Sequence, residues 1–197
     1  MQGYAIDKKD QELFREMGCK DSKVLSERQR ELLFDVIKEK AASYHIVILT
    51  PKDVDNALED ETMNLNWLEA VGTARILNEL KPDEAILDAP SNNINAYVEY
   101  VQNLVKSTMK LTAEHKADET YPVVSAASIL AKVTRDREIL KIQQEIGENF
   151  GSGYPSDPRT QAFLKNNWNK YPHIFRKTWA TYQKIVKSQG QKKIGEY

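Results

Sequence analysis

The sequence predicts an α/β fold in which short strands alternate with helices. Only a few segments have the β-branched and apolar character of strands, and stretches with helical periodicity separate them. This alternation favours at least some parallel pairing, because parallel strands need a crossover connection. A chain of 197 residues is long enough for one domain with its own core.

The N-terminal quarter predicts one strand and two helices. Residues 4–6 are strand-like, and residues 7–17 are polar and helix-prone. Ser26 is expected to cap the second helix, because Gln29 follows at the spacing of a capping box. The buried stripe of this helix is predicted from apolar residues at helical spacing: Leu32, Leu33, Val36, Ile37 and Ala41.

Residues 45–50 form a β-branched run that predicts a strand, which Pro51 ends. A short polar helix is expected to start at Asp53. Its acids resemble a calcium loop in composition: Asp53, Asp55, Glu59, Asp60 and Glu61. Ala57 and Leu58 stand where such a loop needs glycine and oxygen ligands, so we interpret the cluster as solvated surface.

The middle of the chain predicts helix, strand, helix and strand. A helix over residues 64–80 is expected to bury one face, formed by Leu65, Leu68, Val71, Gly72, Ile76 and Leu80. Residues 84–88 predict a strand that ends in Asp88, and residues 93–106 have helical periodicity. Residues 108–115 are strand-like and lead to Asp118.

A long helix is predicted from Pro122 to about residue 147, because proline suits the first helical turn. Its first turns are small and apolar on every side, which predicts a helix buried nearly all round. Two glycines and two prolines then fix an unusual loop at residues 150–158. Asp157 is expected to cap a helix that ends near Trp168, and a last helix is predicted over residues 176–187.

Composition indicates a globular protein of a reducing compartment. Cys19 is the only cysteine, so no intrachain disulfide can form. The N-terminal residues have no signal-peptide pattern, and the longest apolar run, residues 46–49, is too short to span a membrane. We therefore expect a cytoplasmic protein.

Positive charge is concentrated at the C-terminal end. The whole chain has a net charge of −1, but residues 159–197 contain nine lysines and arginines and one acid, Glu196. Aromatic residues alternate with these cations, a pattern typical of phosphate-backbone binding. The alternative is a solvated helical surface with its aromatics packed inward, and for an isolated basic tail that alternative is favoured.

Two acids end strand-like segments: Asp88, and Asp118 just past residues 108–115. Ligands of α/β sheets bind at the carboxyl ends of strands, so the pair predicts half of an oxygen-ligand site for a hard cation such as Mg²⁺. The alternatives are a loop cap over Ser91 or Asn92 for Asp88, and a cap at the helix N-terminus for Asp118. The residues alone leave both open.

Two further side chains have a functional and a structural interpretation. His115 is a possible ligand or general base, but a lone histidine beside a strand is more often packed in the core. Tyr154 lies on the glycine–proline loop, which could hold its ring against a sugar or base. Its alternative is packing over the edge of the core.

Taken together, these stretches resemble ribonuclease HII, in a form closest to the archaeal one. The motifs that carry the resemblance are EHKAD at 114–118, YPVVSAASILAK at 121–132, TRD at 134–136 and GSGYPSDP at 151–158. Three shorter motifs fall at the expected places: KDSK at 20–23, LDAP at 87–90 and RKTW at 176–179. The resemblance extends from about residue 3 to the last helix.

The resemblance implies a ribonuclease-H-like mixed sheet of five strands, flanked by helices, with a helical C-terminal extension. It implies an endonuclease that hydrolyses the RNA strand of RNA–DNA hybrids, including ribonucleotides embedded in DNA. The implied cofactor is Mg²⁺ or Mn²⁺, and the products carry a 5′-phosphate and a 3′-hydroxyl. With this resemblance, phosphate binding by the basic end outweighs the solvated-surface alternative.

The resemblance also assigns residues. Asp88 and Asp118 correspond to catalytic metal ligands, and Tyr154 to the tyrosine that reads the RNA–DNA junction. Other residues are similar to those on the nucleic-acid face: Ser22, Lys23, Arg135 and Lys177. Residues 1–150 then form the catalytic domain, and residues 151–197 the substrate-binding loop and basic extension. We expect a monomer that contacts a replication clamp through its C-terminal tail.

One family motif is not found in this sequence. The family begins with a strand that ends in Asp-Glu-Ala-Gly-Arg-Gly, whose Asp and Glu are metal ligands, whereas here Lys8 follows Asp7 and no glycine turn comes next. The first strand is therefore expected to be missing. Three hypotheses stay open: a fragment or misplaced start, which we favour, a deliberate truncation, or an inactive homologue that binds hybrid without cleaving it.

Overall fold

The contacts of the chain divide it into two compact units. The computed structural model describes residues 2–5, 11–19 and 25–194. The first unit is formed by Met1–Ile48 and Leu65–Arg135, and the second by Leu49–Asn64 and Asp136–Tyr197. Segments far apart in sequence therefore fold together in the second unit. The functional division at residue 150 stays a prediction.

The observed elements follow the predicted alternation of strands and helices. The strands are β1 Gln2–Ala5, β2 Ser43–Ile46, β3 Glu84–Asp88 and β4 Lys110–Glu114. The helices are α1 Gln11–Glu16, α2 Glu27–Lys40, α3 Pro51–Leu58, α4 Leu65–Leu80, α5 Ile94–Leu104, α6 Ala117–Thr120, α7 Pro122–Ile146, α8 Pro158–Asn167 and α9 Ala180–Ile194.

The strands pair two by two. β1 and β2 are antiparallel, and β3 and β4 are parallel in a register that places Glu84 opposite Lys110 and Asp88 opposite Glu114. α5 supplies the crossover that a parallel pair requires. The α/β class with parallel pairing is thus confirmed, and four strands lie within the described residues.

Two apolar clusters stabilise the first unit. One joins α1, α2 and α7 through buried residues that include Phe14, Phe34, Ile37 and Ile129. The other packs α4 and α5 against β3, and its members are Ala70, Leu77, Ala85, Leu87, Ala89, Tyr97 and Val101. The second cluster fixes strand β3, which carries Asp88 at its end.

Aromatic rings form the core of the second unit. Phe163 of α8 lies 5.2 Å from Phe150 and 6.0 Å from both Tyr171 and Phe175, between ring centroids. Tyr182 of α9 continues the contact, 6.2 Å from Phe175. These C-terminal aromatics therefore pack inward. Most of the cations whose exposure is described are exposed, whereas Arg176 is half-buried: Arg159, Lys165, Lys170, Lys177, Lys184 and Lys187 are the exposed ones.

The buried face of α2 differs from the prediction. Leu32 is 66% exposed and Val36 is 38% exposed, whereas Phe34 and Ile37 are buried. The stripe runs through Leu33, which packs on the same cluster, so the face is rotated away from Leu32. The prediction for α4 fails at one position in the same way, because Leu65 at its N-terminus is exposed.

Helix α7 has the predicted character. Val124, Ser125, Ala126, Ile129 and Leu130 are buried in its first turns, and no residue from 121 to 139 is exposed. This long element spans the last part of the first unit and the beginning of the second in sequence. Among the described helices, none combines the length and apolarity needed to cross a membrane.

Candidate active site

The carboxyl ends of β3 and β4 are tied together by backbone and side-chain hydrogen bonds. Ala89 N–H donates to the carbonyl oxygen of Glu114 over 2.9 Å. Asp88 Oδ1 accepts from Ala117 N–H over 3.2 Å. The exposed Asp88 carboxylate thus lies against the first residue of α6, the short helix that carries Asp118.

Asp118 occupies a different environment from Asp88. It is 4% exposed and lies inside α6, one turn before Pro122 opens α7. The loop-cap alternative for Asp88 is not observed, because Asp88 accepts from Ala117 while Ser91 Oγ accepts from the Asn93 N–H. Asp88 ends strand β3 as expected, whereas Asp118 lies in the short helix α6 that follows β4.

The turn between β4 and α6 brings His115 to the same edge. Its Nδ1 lies 3.2 Å from the carbonyl oxygen of Ala89, so Nδ1–H is the donor. The core-packing alternative for His115 is wrong, since the residue is exposed. Lys116 has a left-handed backbone, φ +58°, which turns the chain sharply into α6.

Glu114 is a third carboxylate at these strand ends, which sequence analysis did not single out. It stands opposite Asp88 in the parallel register, so both side chains leave the same face of the sheet. Tyr121 O–H donates to Glu114 Oε1 over 2.6 Å. This hydrogen bond, with smaller effects of desolvation and the Glu114 charge, raises the pKa of Tyr121. A signal was present, because Glu114 opens the EHKAD motif.

The carboxylates of Asp88 and Asp118 are the chemical type of ligand that a hard divalent cation prefers. Carboxylate oxygens are the ligands that Mg²⁺ prefers, and magnesium is commonly held by one or two carboxylates together with substrate phosphates and waters. Within the described part of the chain, no group of three or more acidic, histidine or cysteine side chains is placed to hold a metal. Asp88 and Asp118 offer carboxylate oxygens of the right kind, and their role as metal ligands stays a prediction.

In the second unit, the loop at residues 150–158 presents Tyr154, which is 42% exposed. Asp157 accepts from the backbone N–H of Ser152 over 2.7 Å and of Arg159 over 2.8 Å. Buried Thr160 accepts from Gly153 N–H and donates to the Phe150 carbonyl, over 3.0 and 2.9 Å. The loop is thus fixed from inside, and the Tyr154 side chain is partly exposed to solvent.

The electrostatics of this loop favour an ionised Asp157. The backbone N–H of Ser152 and that of Arg159 lower the pKa of Asp157 to about 2. Asp157 also caps α8, where the helix dipole favours a negative charge. The predicted cap is confirmed.

The remaining predicted contact residues lie apart in the chain. Arg135 is on α7, at the end of the first unit, and Lys177 is exposed in the turn before α9 of the second. Ser22 and Lys23 lie outside the described residues. The structure therefore joins Asp88 to the α6 segment of Asp118 in one unit, and holds Tyr154 and Lys177 in the other.

Asp55 corrects the interpretation of the acidic cluster as solvated surface. Its carboxylate accepts from the backbone N–H of Lys177 over 2.8 Å, the N–H of Thr178 over 3.0 Å and the Thr178 hydroxyl over 2.7 Å. No local signal in the sequence could have revealed this, because the partners are 122 and 123 positions away.

Comparisons with known proteins agree with this geometry. The ribonuclease HII family model matches residues 1–182. Ribonuclease HII of Pyrococcus furiosus is 42% identical over 193 residues, which cover 95% of this chain and 84% of that protein. The crystal structure of ribonuclease H2 from Pyrococcus horikoshii OT3 aligns with a TM-score of 0.83 at 41% identity, over 93% of this chain and 87% of that one. A PCNA complex of ribonuclease HII from Archaeoglobus fulgidus aligns with a TM-score of 0.78 at 35% identity, over 86% and 82% of the two chains.

Proposed function

Since the chain belongs to the ribonuclease HII family, a family of endonucleases with a ribonuclease-H-like fold, we propose that it cleaves the RNA strand of RNA–DNA hybrids. The proposal includes single ribonucleotides embedded in DNA. The products would carry a 5′-phosphate and a 3′-hydroxyl.

One observation carries the proposal: the hydrogen bond between Asp88 Oδ1 and Ala117 N–H. It holds the end of β3 against the first residue of the helix that carries Asp118, and this supports a site formed by the two acids at one edge of the parallel pair. Negative charge concentrated at strand ends is suited to a divalent cation, and a cation is needed there to accept a phosphodiester.

Mg²⁺ or Mn²⁺ is the proposed cofactor, held by Asp88 and Asp118. When bound, such an ion supplies positive charge for the scissile phosphate and lowers the pKa of a coordinated water. Asp118 is buried, whereas Asp88 is exposed and so accessible to a substrate. The Nδ1–H bond of His115 to Ala89 holds the turn between the two acids.

Substrate recognition is assigned to the other predicted residues. The 2′-hydroxyl distinguishes RNA from DNA, and an aromatic ring can stack on a sugar or base beside it. Exposed Tyr154 on its internally fixed loop suits that role. Arg135, Lys177, Ser22 and Lys23 would contact phosphates or sugars.

Cleavage of a labelled RNA–DNA duplex by the full chain tests the proposal. With Mg²⁺ or Mn²⁺ we expect RNA-strand cuts that leave 5′-phosphates. Asp118→Asn should lower the cleavage rate by about 100-fold or more. Even mutation of a residue that only supports a metal ligand commonly lowers metal affinity or activity by about 10- to 100-fold. Asp83→Asn is the matched control and should retain activity, since exposed Asp83 lies at the opposite end of β3.

A second candidate is hybrid binding without cleavage. It is favoured by one observation, the lack of a three-donor metal group among the described residues. If the chain binds the hybrid tightly but cuts nothing with either metal, this candidate replaces the first. Metal-dependent cutting that Asp118→Asn removes would exclude it.

A replication clamp is the proposed protein partner, contacted through the C-terminal tail by a monomer. The support is the PCNA complex of the Archaeoglobus fulgidus relative. Light scattering of the chain alone should give the mass of a monomer. Adding an archaeal clamp should shift the chain to the mass of the complex, and replacing residues 189–197 with a glycine–serine sequence should abolish that shift.

A further inference from the structure

Asp55 connects two distant parts of the second unit through three hydrogen bonds. It lies on α3, and its carboxylate accepts three hydrogen bonds from the turn that precedes α9. Oδ2 accepts the Lys177 N–H, while Oδ1 accepts both the N–H and the hydroxyl of Thr178. One carboxylate thereby satisfies two consecutive backbone donors and fixes the local direction of the chain.

The carboxylate is held in its charged form. Partial burial opposes ionisation of Asp55, but the hydroxyl and N–H of Thr178, the N–H of Lys177 and the charge of Arg176 outweigh it. The pKa of Asp55 therefore lies below its ordinary value. Charge-assisted bonds of this kind are shorter and stronger than neutral ones, so the turn is firmly held.

In this turn Lys177 is exposed, whereas Arg176 and Thr178 are half-buried. The Arg176 guanidinium lies 5.2 Å from the centroid of the Trp179 ring, and the Thr178 hydroxyl is bonded to Asp55. Lys177 is exposed and lines an open groove with Lys187 and Tyr182. The turn thus presents one ammonium group beside a second cation and an aromatic ring.

We propose that Asp55 is a positioning residue for nucleic-acid binding, which sets the Arg176–Thr178 turn so that Lys177 meets a substrate phosphate. This inference rests on the proposed function, because Lys177 needs a nucleic-acid ligand. A preset backbone reduces the ordering cost of the contact, and that reduction appears as affinity. Asp55 itself touches no substrate.

The direction in which loss of Asp55 changes the affinity for nucleic acid separates a positioning role from a simple effect of its charge. Removing an acid near a phosphate-binding surface strengthens attraction to nucleic acid, so a charge effect alone would tighten binding. Loss of positioning would weaken it. Asp60 supplies the matched control, because it lies in the same segment and its carboxylate accepts hydrogen bonds from nearby Thr62.

The test measures binding of an RNA–DNA hybrid to the full chain by fluorescence anisotropy, without metal, at several salt concentrations. Asp55→Asn keeps the shape but turns an amide N–H toward a backbone donor. It should raise the Kd about five-fold, as expected for roughly 1 kcal/mol of lost preorganisation. Lys177→Ala should reduce the salt dependence of binding by about 1 in slope, and Asp55→Asn should reduce it toward the same value. Thr178→Val removes one bond and should act more weakly in the same direction, whereas Asp60→Asn should leave the Kd unchanged or lower it.

A double variant decides whether Asp55 acts through Lys177. In the Lys177→Ala background, Asp55→Asn should change the Kd no further, because coupled residues are non-additive. Hydrogen exchange at the Lys177 and Thr178 amides should rise in Asp55→Asn, which shows that the bonds are lost.

Three results would overturn the inference. Faster exchange with unchanged Kd in Asp55→Asn would make the bonds purely structural, and additive effects in the double variant would separate Asp55 from Lys177. In both cases the wild-type chain still binds, so the proposed function stands. A wild-type chain that does not bind the hybrid would remove the proposed function and this inference together.

Discussion

Asp88 and Asp118 show how neighbouring acids acquire different properties from backbone placement. Asp88 ends a strand and stays open to solvent, while Asp118 is enclosed in the first turn of a short helix. A buried carboxylate has few rotamers available, so it is suited to fix a ligand, and an exposed one can follow a substrate. In the proposed metal site, Asp118 would be the rigid and Asp88 the adaptable oxygen donor.

Single residues were predictable from sequence where their partners are local. Asp157 could be identified as a cap because Pro158 follows it directly, and the structure confirms the cap. Glu114 and Asp55 were missed as bonded acids, since Tyr121 and Thr178 acquire their roles only in the folded chain. The family resemblance, not local patterning, singled out Lys177.

Gly151 provides a prediction about a single side chain. Its φ is +82°, and a Cβ there would lie 2.5 Å from Asp157 Oδ2. Gly151→Ala should therefore destabilise the chain by about 1–3 kcal/mol, through left-handed strain and displacement of the Asp157 carboxylate. Urea denaturation measures this loss.

Gly147 is the control for that substitution. It also has a left-handed φ of +70°, but a Cβ there would meet nothing within 4 Å. Gly147→Ala should cost only the backbone strain, about 1 kcal/mol. Equal losses at the two positions would contradict the role given to the Asp157 contact.

At the scale of elements, the contribution of the α8 N-terminus to folding stability depends on pH. The pKa of Asp157 is about 2, below its ordinary value of 3.8, because Ser152 and Arg159 N–H groups bond its charged form. Folding is therefore stabilised above about pH 4, and this contribution is lost as pH falls to about 2. Asp157→Asn should lower the urea midpoint at pH 7, and the difference from wild type should shrink below pH 4.

Thr160→Val separates this effect from general loosening of the loop. It removes uncharged bonds to Phe150 and Gly153 in the same loop. Its destabilisation should stay nearly constant from pH 7 to pH 3. A pH-independent difference for Asp157→Asn as well would show that the Asp157 charge is not what the loop requires.

The start signals of helices were more predictable than their buried faces. Ser26 and Gln29 form the expected capping box, and Pro122 and Pro158 open helices as expected. The face of α2 was not predictable, because its apolar residues surround more than one side and the packing of α1 and α7 selects among them. Strand β3 could be bounded correctly, since polar residues flank its apolar centre.

At the scale of the molecule, charge is distributed unevenly along the chain. The net charge is −1, yet residues 159–197 contain nine basic residues and one acid. The logarithm of the hybrid binding constant should fall linearly with the logarithm of the salt concentration, with a slope of about −0.9 for each phosphate neutralised. Titrations between 50 and 200 mM salt, concentrations at which such losses are large, measure the slope.

Lys38 is the control for this prediction. It lies on α2 in the first unit, with its ammonium over the Phe34 and Tyr44 rings. Lys38→Ala should leave the slope unchanged, whereas Lys184→Ala on α9 should reduce it. Equal slopes for both variants would place the phosphate contacts outside the basic end.

The pairing of α3 with the turn before α9 also sets an order of events during synthesis. Asp55 leaves the ribosome 122 residues before Lys177. At about 5–20 residues per second, the segment that carries Asp55 waits roughly 6–25 s for its partners. The strands of the first unit have all emerged in that interval, so their pairing does not have to wait for the hydrogen bonds of Asp55.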